Sequence, residues 1–343
     1  MQNKPSFSQS LIPLVCLDIG GTLTKVTFAA KKDFIVNCQT KQELKIQNEN
    51  EDYEIHFLSH PNSLDVLIQN LEQIGFIVDG ESHIQTFYIT GGGSFKYYDQ
   101  ISKYGKIVRI NEFDALKFGF KLLDSIKYKN TYFTFNNGIE YLQLTASIYP
   151  FILVNIGSGV SILKFDNEDQ FARISGTCLG GGMFLGLSHL FTGINDFDEL
   201  LKMTKRGSNA ATDLLIDEVH LGFQSPTRDK NEKHVAVSMG KLKQNSNLNQ
   251  SDLVKSLLYM TTYNISQIAF LHSKLHNIDR VFFSGHFIRN HEETLQCISE
   301  AFSYFSKLDQ QNRHPYFIKH DGFIGSLGSF WNGIQTYKQN NNH

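Results

Sequence analysis

Leu14-Val15-Cys16-Leu17-Asp18-Ile19-Gly20-Gly21-Thr22-Leu23-Thr24-Lys25-Val26-Thr27-Phe28 sets the pattern from which the architecture can be worked out. An apolar run ends in a carboxylate, two glycines and a hydroxyl, and a second run follows. A glycine turn opening a helix would show G-x-G-x-x-G or G-x-x-x-x-G-K-[ST], and neither spacing occurs. Instead "LTKVTF" alternates and is β-branched, so the chain is expected to reverse as a β-hairpin. Glycines in such a turn are expected to supply positive φ and to admit backbone N–H groups to an anion.

The same plan returns at residues 151–165, "FILVNIGSGVSILKF", where Asn155-Ile156-Gly157-Ser158-Gly159 stands in place of Asp18-Ile19-Gly20-Gly21-Thr22. Two lobes built on one plan are expected, residues 14–145 and 146–335, with disordered ends at 1–13 and 336–343. The rest reads as mixed α/β. Helical periodicity covers 63–74, and the strand at 86–89 runs into Thr90-Gly91-Gly92-Gly93-Ser94. Residues 112–126 read as a helix, and 127–138, polar and Asn-rich, as a surface connection. Beyond the second hairpin come the glycine loop 176–182, a helix at 183–190 and a longer helix from Asp198. A mobile excursion over 224–252 is expected around a short ordered "VAVSMGK". The helix 253–276 and the strand 280–283, ending in Ser284-Gly285, follow.

The chain has 343 residues, 41% hydrophobic and 19% charged, with a net charge of -2, enough to bury a core in two lobes. It has neither the basic footprint of a nucleic-acid binder nor an acidic tail. No apolar run reaches about 18 residues, and "MQNKPSFSQSLI" resembles neither a secretory signal nor a transit peptide, so no membrane association and a cytoplasmic address are expected. Cys16, Cys38, Cys178 and Cys297 are far apart with no CxxC, and read as reduced thiols in packing positions. His56 and His60 lie in "YEIHFLSH", which reads as strand, so their spacing is not that of a helical metal pair.

Most glycine clusters fall at strand ends, where open α/β sheets place ligands. Asp18, closing a buried strand, suits Mg²⁺ directly or through water, because that ion takes one or two carboxylates plus phosphate oxygens. Lys25 is placed to reach a transferred phosphate, and Thr22 and Ser158 offer hydroxyls to it.

"LDIGGTLTKVTF", "TGGGSFKY", "NEFDALKFGF", "PFILVNIGSGVSIL", "RISGTCLGGGMFLGL", "VAVSMGK" and "VFFSGHFIRNH", in this order, resemble the eukaryotic-type (type II) pantothenate kinases, within the superfamily of actin, hexokinase and the heat-shock chaperone ATPases. The resemblance spans roughly residues 14–330. It implies a two-lobed actin-like (ribonuclease H-like) α/β fold whose duplicated hairpin loops hold ATP in an interlobe cleft. It also implies ATP-dependent phosphorylation of pantothenate, the entry step of coenzyme A synthesis, by a homodimer that acyl-CoA inhibits. By motif, Glu112 matches the catalytic acid/base. Ser158, Ser161 and Arg173 match contacts to pantothenate or acyl-CoA, and a guanidinium suits a carboxylate-bearing substrate. Gly20, Gly21, Gly91, Gly92, Gly157 and Gly181 belong to the ATP loops, and Gly285 with Phe287 resembles the loop near adenine and ribose. The insert 224–233 and Phe305, where relatives often carry Trp, depart from the family pattern. A sugar kinase of the same superfamily and a catalytically silent CoA-sensing homologue are the competing readings.

Overall fold

The computed structural model describes Ile12 and residues 14–31, 41–48, 51–126, 131–142, 147–219, 234–243, 248–289, 291–310, 313–319 and 322–341. The expected disorder over 1–13 (Ile12 aside), Cys38, and the 224–233 and 244–247 parts of the expected excursion lie outside the described residues. The chain divides into two compact units, the first comprising 1–127 and 323–343 and the second 128–322.

Unit 1 is built on a six-stranded sheet in the order β3-β4-β2-β1-β7-β8. Its strands are β1 (Leu14–Ile19), β2 (Leu23–Lys31), β3 (Lys41–Asn48), β4 (Glu51–Pro61), β7 (Thr86–Thr90) and β8 (Lys106–Arg109), with the small hairpin β5 (Ile77–Val78) and β6 (Glu81–Ser82) beside it. Helix α1 (Leu64–Ile74) buries Leu67, Leu71 and Ile74, and stops at Gly75, whose φ of +93° lets its N–H reach the carbonyls of Leu71 and Glu72. Its apolar face joins Val15, Leu17, Ile19, Phe28, Phe76, Phe87 and Ile89 in one core. A short α2 (Tyr98–Ile101) follows the glycine loop, and α3 (Glu112–Ile126) follows β8.

Unit 2 carries a seven-stranded sheet in the order β10-β9-β17-β16-β11-β12-β13. The strands are β9 (Tyr132–Phe135), β10 (Ile139–Leu142), β11 (Phe151–Ile156), β12 (Val160–Phe165), β13 (Phe171–Thr177), β16 (Val281–Ser284) and β17 (Pro315–Ile318). Its helices are α4 (Gly181–Thr192), α5 (Phe197–Thr204), the short α6 (Ile216–Val219), α7 (Gln250–His276) and α8 (Glu292–Leu308), and β14 (Leu214–Leu215) pairs with β15 (Val235–Val237). Helix α7 starts on the Asn249 side chain, which accepts from Ser251, and ends at Asn277 in the left-handed region with φ of +52°. One side of the sheet, with Ile152, Val154, Ile156 and Phe283, packs onto Leu257, Ile265, Ile298 and Phe302 of α7 and α8.

The duplication read from the two hairpins extends to five strands. The orders β4-β2-β1-β7-β8 and β13-β12-β11-β16-β17 are the same, and so are the directions, antiparallel up to the hairpin strand and parallel beyond it. The turns differ. Asp18 faces Lys25, whereas Asn155 faces Ser161, so the first turn carries one residue more than the second. The counterpart of Lys25 is therefore Ser161, not Ile162 as the ungapped repeat implies.

Five expectations are corrected. The polar connection at 127–138 contains β9, because Tyr132, Phe133 and Phe135 are buried and Phe133 stacks on Phe317 of the neighbouring strand at 5.6 Å. The helix near Asp198 is short, ending at Thr204, and the chain then passes close to the start of α7 at Gly207, where a Cβ would stand 2.1 Å from the Ser251 carbonyl oxygen. Within the excursion expected over 224–252, "VAVSMGK" is structured as anticipated, but the excursion ends sooner, because α7 already begins at Gln250. The unit boundaries fall near 127 and 322 rather than 145 and 335, because the last helix, α9 (Ile324–Asn341), packs in unit 1 on α3, β1, β2 and β7. The tail expected to be disordered from 336 is helical through Asn341.

Candidate active site

In unit 1 the last residues of the central strand face α9. Cross-strand partners share a face, and the pairs Asp18–Thr90, Asp18–Lys25 and Lys25–Ser59 set a polar row, Thr90-Asp18-Lys25-Ser59, across the sheet. Lys25 Nζ lies 3.1 Å from Asp18 Oδ2, with both side chains mostly buried at 14% and 16% exposure. An ion pair so enclosed fixes both groups more firmly than a surface pair. Glu112, on the first turn of α3 after Asn111, whose Oδ1 accepts from Phe113 N–H, stands near them. It remains solvent-accessible, yet its carboxyl is held above the ordinary glutamate range, first by the protein around it, next by the Asp18 charge, with Lys25 opposing.

Glycine keeps this corner open. Gly91 has φ of +85°, and a Cβ there would meet the Ile19 carbonyl oxygen at 2.5 Å and Asp18 Oδ1 at 2.7 Å. A Cβ at Gly325, near the start of α9, would come 3.1 Å from Asp18 Oδ2. Helix α9 in turn holds α3 by backbone contact, since Cβ atoms at Gly328 and Gly119 would lie 1.7 Å from Ala115 O and 2.4 Å from Ile324 O. That crossing sets where α3 presents Glu112. The Gly20–Thr22 turn is tied by Asn62, whose Nδ2 donates to Gly20 O at 2.7 Å and whose N–H donates to Thr22 O at 2.9 Å. Gly21, Thr22 and Gly92 are exposed, and a Cβ at Gly21 or Gly92 would meet nothing within 4 Å.

The equivalent row in unit 2 is Ser284-Asn155-Ser161-Gly176. A register shift in β13 leaves Ile174 as the extra residue, so Arg173 and Gly176 come to one face. The Arg173 guanidinium then lies over Gly176, where a Cβ would be 2.7 Å from its Nη2, and so beside Ser161. Ser158 is exposed in the turn. Gly181 and Gly182 donate their N–H to Gly157 O and Ser158 O, both at 2.9 Å, seating the start of α4 on the hairpin. Gly285 repeats Gly91: its φ is +113° and a Cβ would meet Ile156 O at 2.3 Å.

The positive φ expected in the hairpin turns therefore belongs elsewhere. Gly20, Gly21, Gly157 and Gly159 are outside the left-handed region, and the strained positions are Gly91 and Gly285, where the parallel neighbour strand leaves the sheet. Phe287 is 3% exposed within an aromatic group with Phe184 and Phe197, so its ring is core and only its backbone is left for a nucleotide. Unit 1 thus gathers Asp18, Lys25, Glu112 and Gly91, and unit 2 gathers Ser158, Ser161, Arg173, Gly157 and Gly181. Sequence reading missed Asn62, Thr90, Gly119, Gly325 and Gly328. The recurrence of glycine at 322, 325 and 328 was the available signal for a closely packed helix. Among the described residues no three His, Cys, Asp or Glu side chains form a metal cluster, and no helix is long and apolar enough to cross a membrane. Cys16 and Cys297 are buried free thiols, whereas Cys178 is exposed.

A family model described as Fumble matches residues 14–332. The chain belongs to the Fumble family. These are the type II pantothenate kinases. It is 31% identical over 347 residues to pantothenate kinase of Schizosaccharomyces pombe, covering 94% of this chain and 82% of the relative. It is 39% identical over 250 residues to pantothenate kinase 2 of Oryza sativa subsp. japonica, covering 70% of this chain and 27% of that protein. It is 33% identical over 349 residues to the 4'-phosphopantetheine phosphatase of Mus musculus, covering 94% and 41%. The chain thus spans well under half the length of these last two relatives. Among solved structures, glucokinase from Balamuthia mandrillaris in complex with glucose is similar at 12% identity with a TM-score of 0.46, covering 95% of this chain and 94% of that one.

Proposed function

We propose that this Fumble-family chain transfers the γ-phosphoryl group of ATP to the primary alcohol of pantothenate, giving ADP and 4'-phosphopantothenate, the first step of coenzyme A synthesis. The observation that carries the reading is the electrostatic coupling of Glu112 to the Asp18–Lys25 pair, with its carboxyl held above the ordinary glutamate range. A carboxylate that holds a proton more tightly than an ordinary glutamate is a stronger base for the alcohol proton as the new O–P bond forms. The bond from the γ-phosphorus to the β,γ-bridging oxygen breaks, and ADP keeps its electron pair. Lys25 supports the charge on the transferring group, and the Gly20–Thr22 turn, tied by Asn62, offers backbone N–H groups. Ser158 and Ser161 orient the substrate, and Arg173, laid over Gly176, presents a planar fork to its carboxylate.

The site suits Mg²⁺: a single enclosed carboxylate, Asp18, stands in a corner that the bare Cα atoms of Gly91 and Gly325 keep clear. When bound with ATP, that ion neutralises phosphate oxygens. Family membership supports acyl-CoA as a competing ligand, a homodimer and a cytoplasmic location as further parts of this reading.

Purified chain incubated with MgATP and pantothenate is expected to release phosphopantothenate, and Glu112→Gln to lower kcat by roughly 10²-fold or more. Turnover of N-acetylglucosamine or another sugar in preference to pantothenate would replace this reading with the sugar-kinase one. Tight acyl-CoA binding without any turnover would replace it with a silent CoA sensor.

A further inference from the structure

Thr90 closes β7 directly opposite Asp18, is 0% exposed, and its Oγ1 is buried with no hydrogen-bond partner among the described residues. Most buried hydroxyls are satisfied, because leaving one unmade costs about 1–3 kcal/mol. The neighbouring buried hydroxyl on the same sheet face shows the ordinary solution: Thr27 Oγ1 bonds Ser326 Oγ of α9 at 2.8 Å. One step along α9 the position over Asp18 and Thr90 is Gly325, which offers no side chain; its Cβ would come 3.7 Å from Thr90 Cγ2. Gly91, on the other side, is equally bare. Thr90 therefore shares a sheet face with the enclosed carboxylate, and at Gly325 and Gly91 beside it the protein offers no side chain to partner the hydroxyl.

We propose that the Thr90 hydroxyl is a ligand-positioning group of this site, hydrogen-bonding an oxygen held next to Asp18, either of the hydration shell of a divalent cation or of the phosphoryl chain itself. The inference rests on the kinase reading for its ligand and adds a residue that reading does not use. A buried donor-acceptor of this kind orients a ligand oxygen without adding charge, so Asp18 and Lys25 keep their balance. Its unmet bond destabilises the ligand-free protein and is recovered on binding.

The test compares wild type, Thr90→Val, which keeps the shape and removes the hydroxyl, and Thr90→Ser, which keeps the hydroxyl. Thermal melts are taken without ligand, with Mn²⁺ alone, with a non-hydrolysable ATP analogue in EDTA, and with both together. The valine variant is expected to melt at or above the wild-type temperature without ligand, yet to bind about tenfold more weakly in the arm that supplies the oxygen. Serine is expected to restore binding. Loss with Mn²⁺ alone assigns the hydration shell, and loss only with the analogue assigns the phosphoryl chain. A valine variant that melts several degrees lower, or that binds like wild type in every arm, overturns the proposal, as does a wild type that binds neither ligand. Weakened binding by the valine variant in a wild type that never phosphorylates pantothenate would leave Thr90 in place and sink the kinase reading instead.

Discussion

Replacing Gly91 by alanine puts a methyl group where the chain has left no room for one. Its φ of +85° with ψ of 159° lies in a region that is essentially glycine-only, and forcing a Cβ there costs about 1–3 kcal/mol. The same Cβ would lie 2.5 Å from Ile19 O and 2.7 Å from Asp18 Oδ1. Ile19 O is backbone and cannot yield, and the Asp18 carboxylate, though the end of a side chain, is held by its ion pair with Lys25, so overpacking adds about 1–3 kcal/mol. The expected total of roughly 2–6 kcal/mol is a large share of the ~5–15 kcal/mol that holds a typical domain together. Gly285→Ala is the internal replicate, with φ of +113° and a contact of 2.3 Å to Ile156 O. Gly92→Ala is the control, since its Cβ would meet nothing within 4 Å and its φ is unstrained. Urea unfolding followed by far-UV circular dichroism should show the two strained variants losing stability alike and Gly92→Ala within about 0.5 kcal/mol of wild type. Equal stability of Gly91→Ala and Gly92→Ala would refute the claim that strand-end strain, rather than the hairpin turns, is what demands glycine.

The acid limb of kcat/KM should titrate above the ordinary glutamate range, because the base must lose its proton and Glu112 holds it more tightly than usual. Residual activity of Lys25→Met should show that limb at higher pH and of Asp18→Asn at lower pH; limbs that do not move would detach Glu112 from the pair. Burial lowers His56 to about 4, so the folded protein stays neutral there while the unfolded chain takes up a proton below about pH 6.5. Stability is therefore complete above that pH and falls towards pH 4 by up to about 1.4 kcal/mol per pH unit. His56→Phe, which keeps the ring stacked on Phe28 at 5.1 Å, should flatten this slope in urea titrations at successive pH values. Gly328→Ala, with its Cβ 1.7 Å from Ala115 O, should part α3 from α9 and lower kcat by tenfold or more in whatever fraction still folds. Retention of both stability and kcat by that variant would show that the helix crossing does not position Glu112.

Much of the architecture could be read from residue order alone. Both hairpins were legible because a strand buried on both faces must be continuously apolar, as in "LVCL" and "FILV", and because the alternating run after the glycines cannot be a helix. Asp18 and Lys25 were legible for a related reason: a carboxylate and a lysine at the end of a buried strand stand out against their apolar neighbours. Glu112 was not. A glutamate on the first turn of a helix has an ordinary local explanation, and only the resemblance of "NEFDAL" to a family motif marked it. The remainder was set by folding, because the governing quantities are distances between residues far apart in the chain. It brought α9 back to unit 1, and with it Gly325 over Asp18 and Gly328 against Ala115. It moved the conformational strain from the turns to Gly91 and Gly285, since whether a Cβ fits depends on a carbonyl some seventy or more than a hundred residues away, at Ile19 or Ile156. It set Arg173 beside Ser161 through one extra residue in β13, a shift of pairing register that composition and periodicity do not encode.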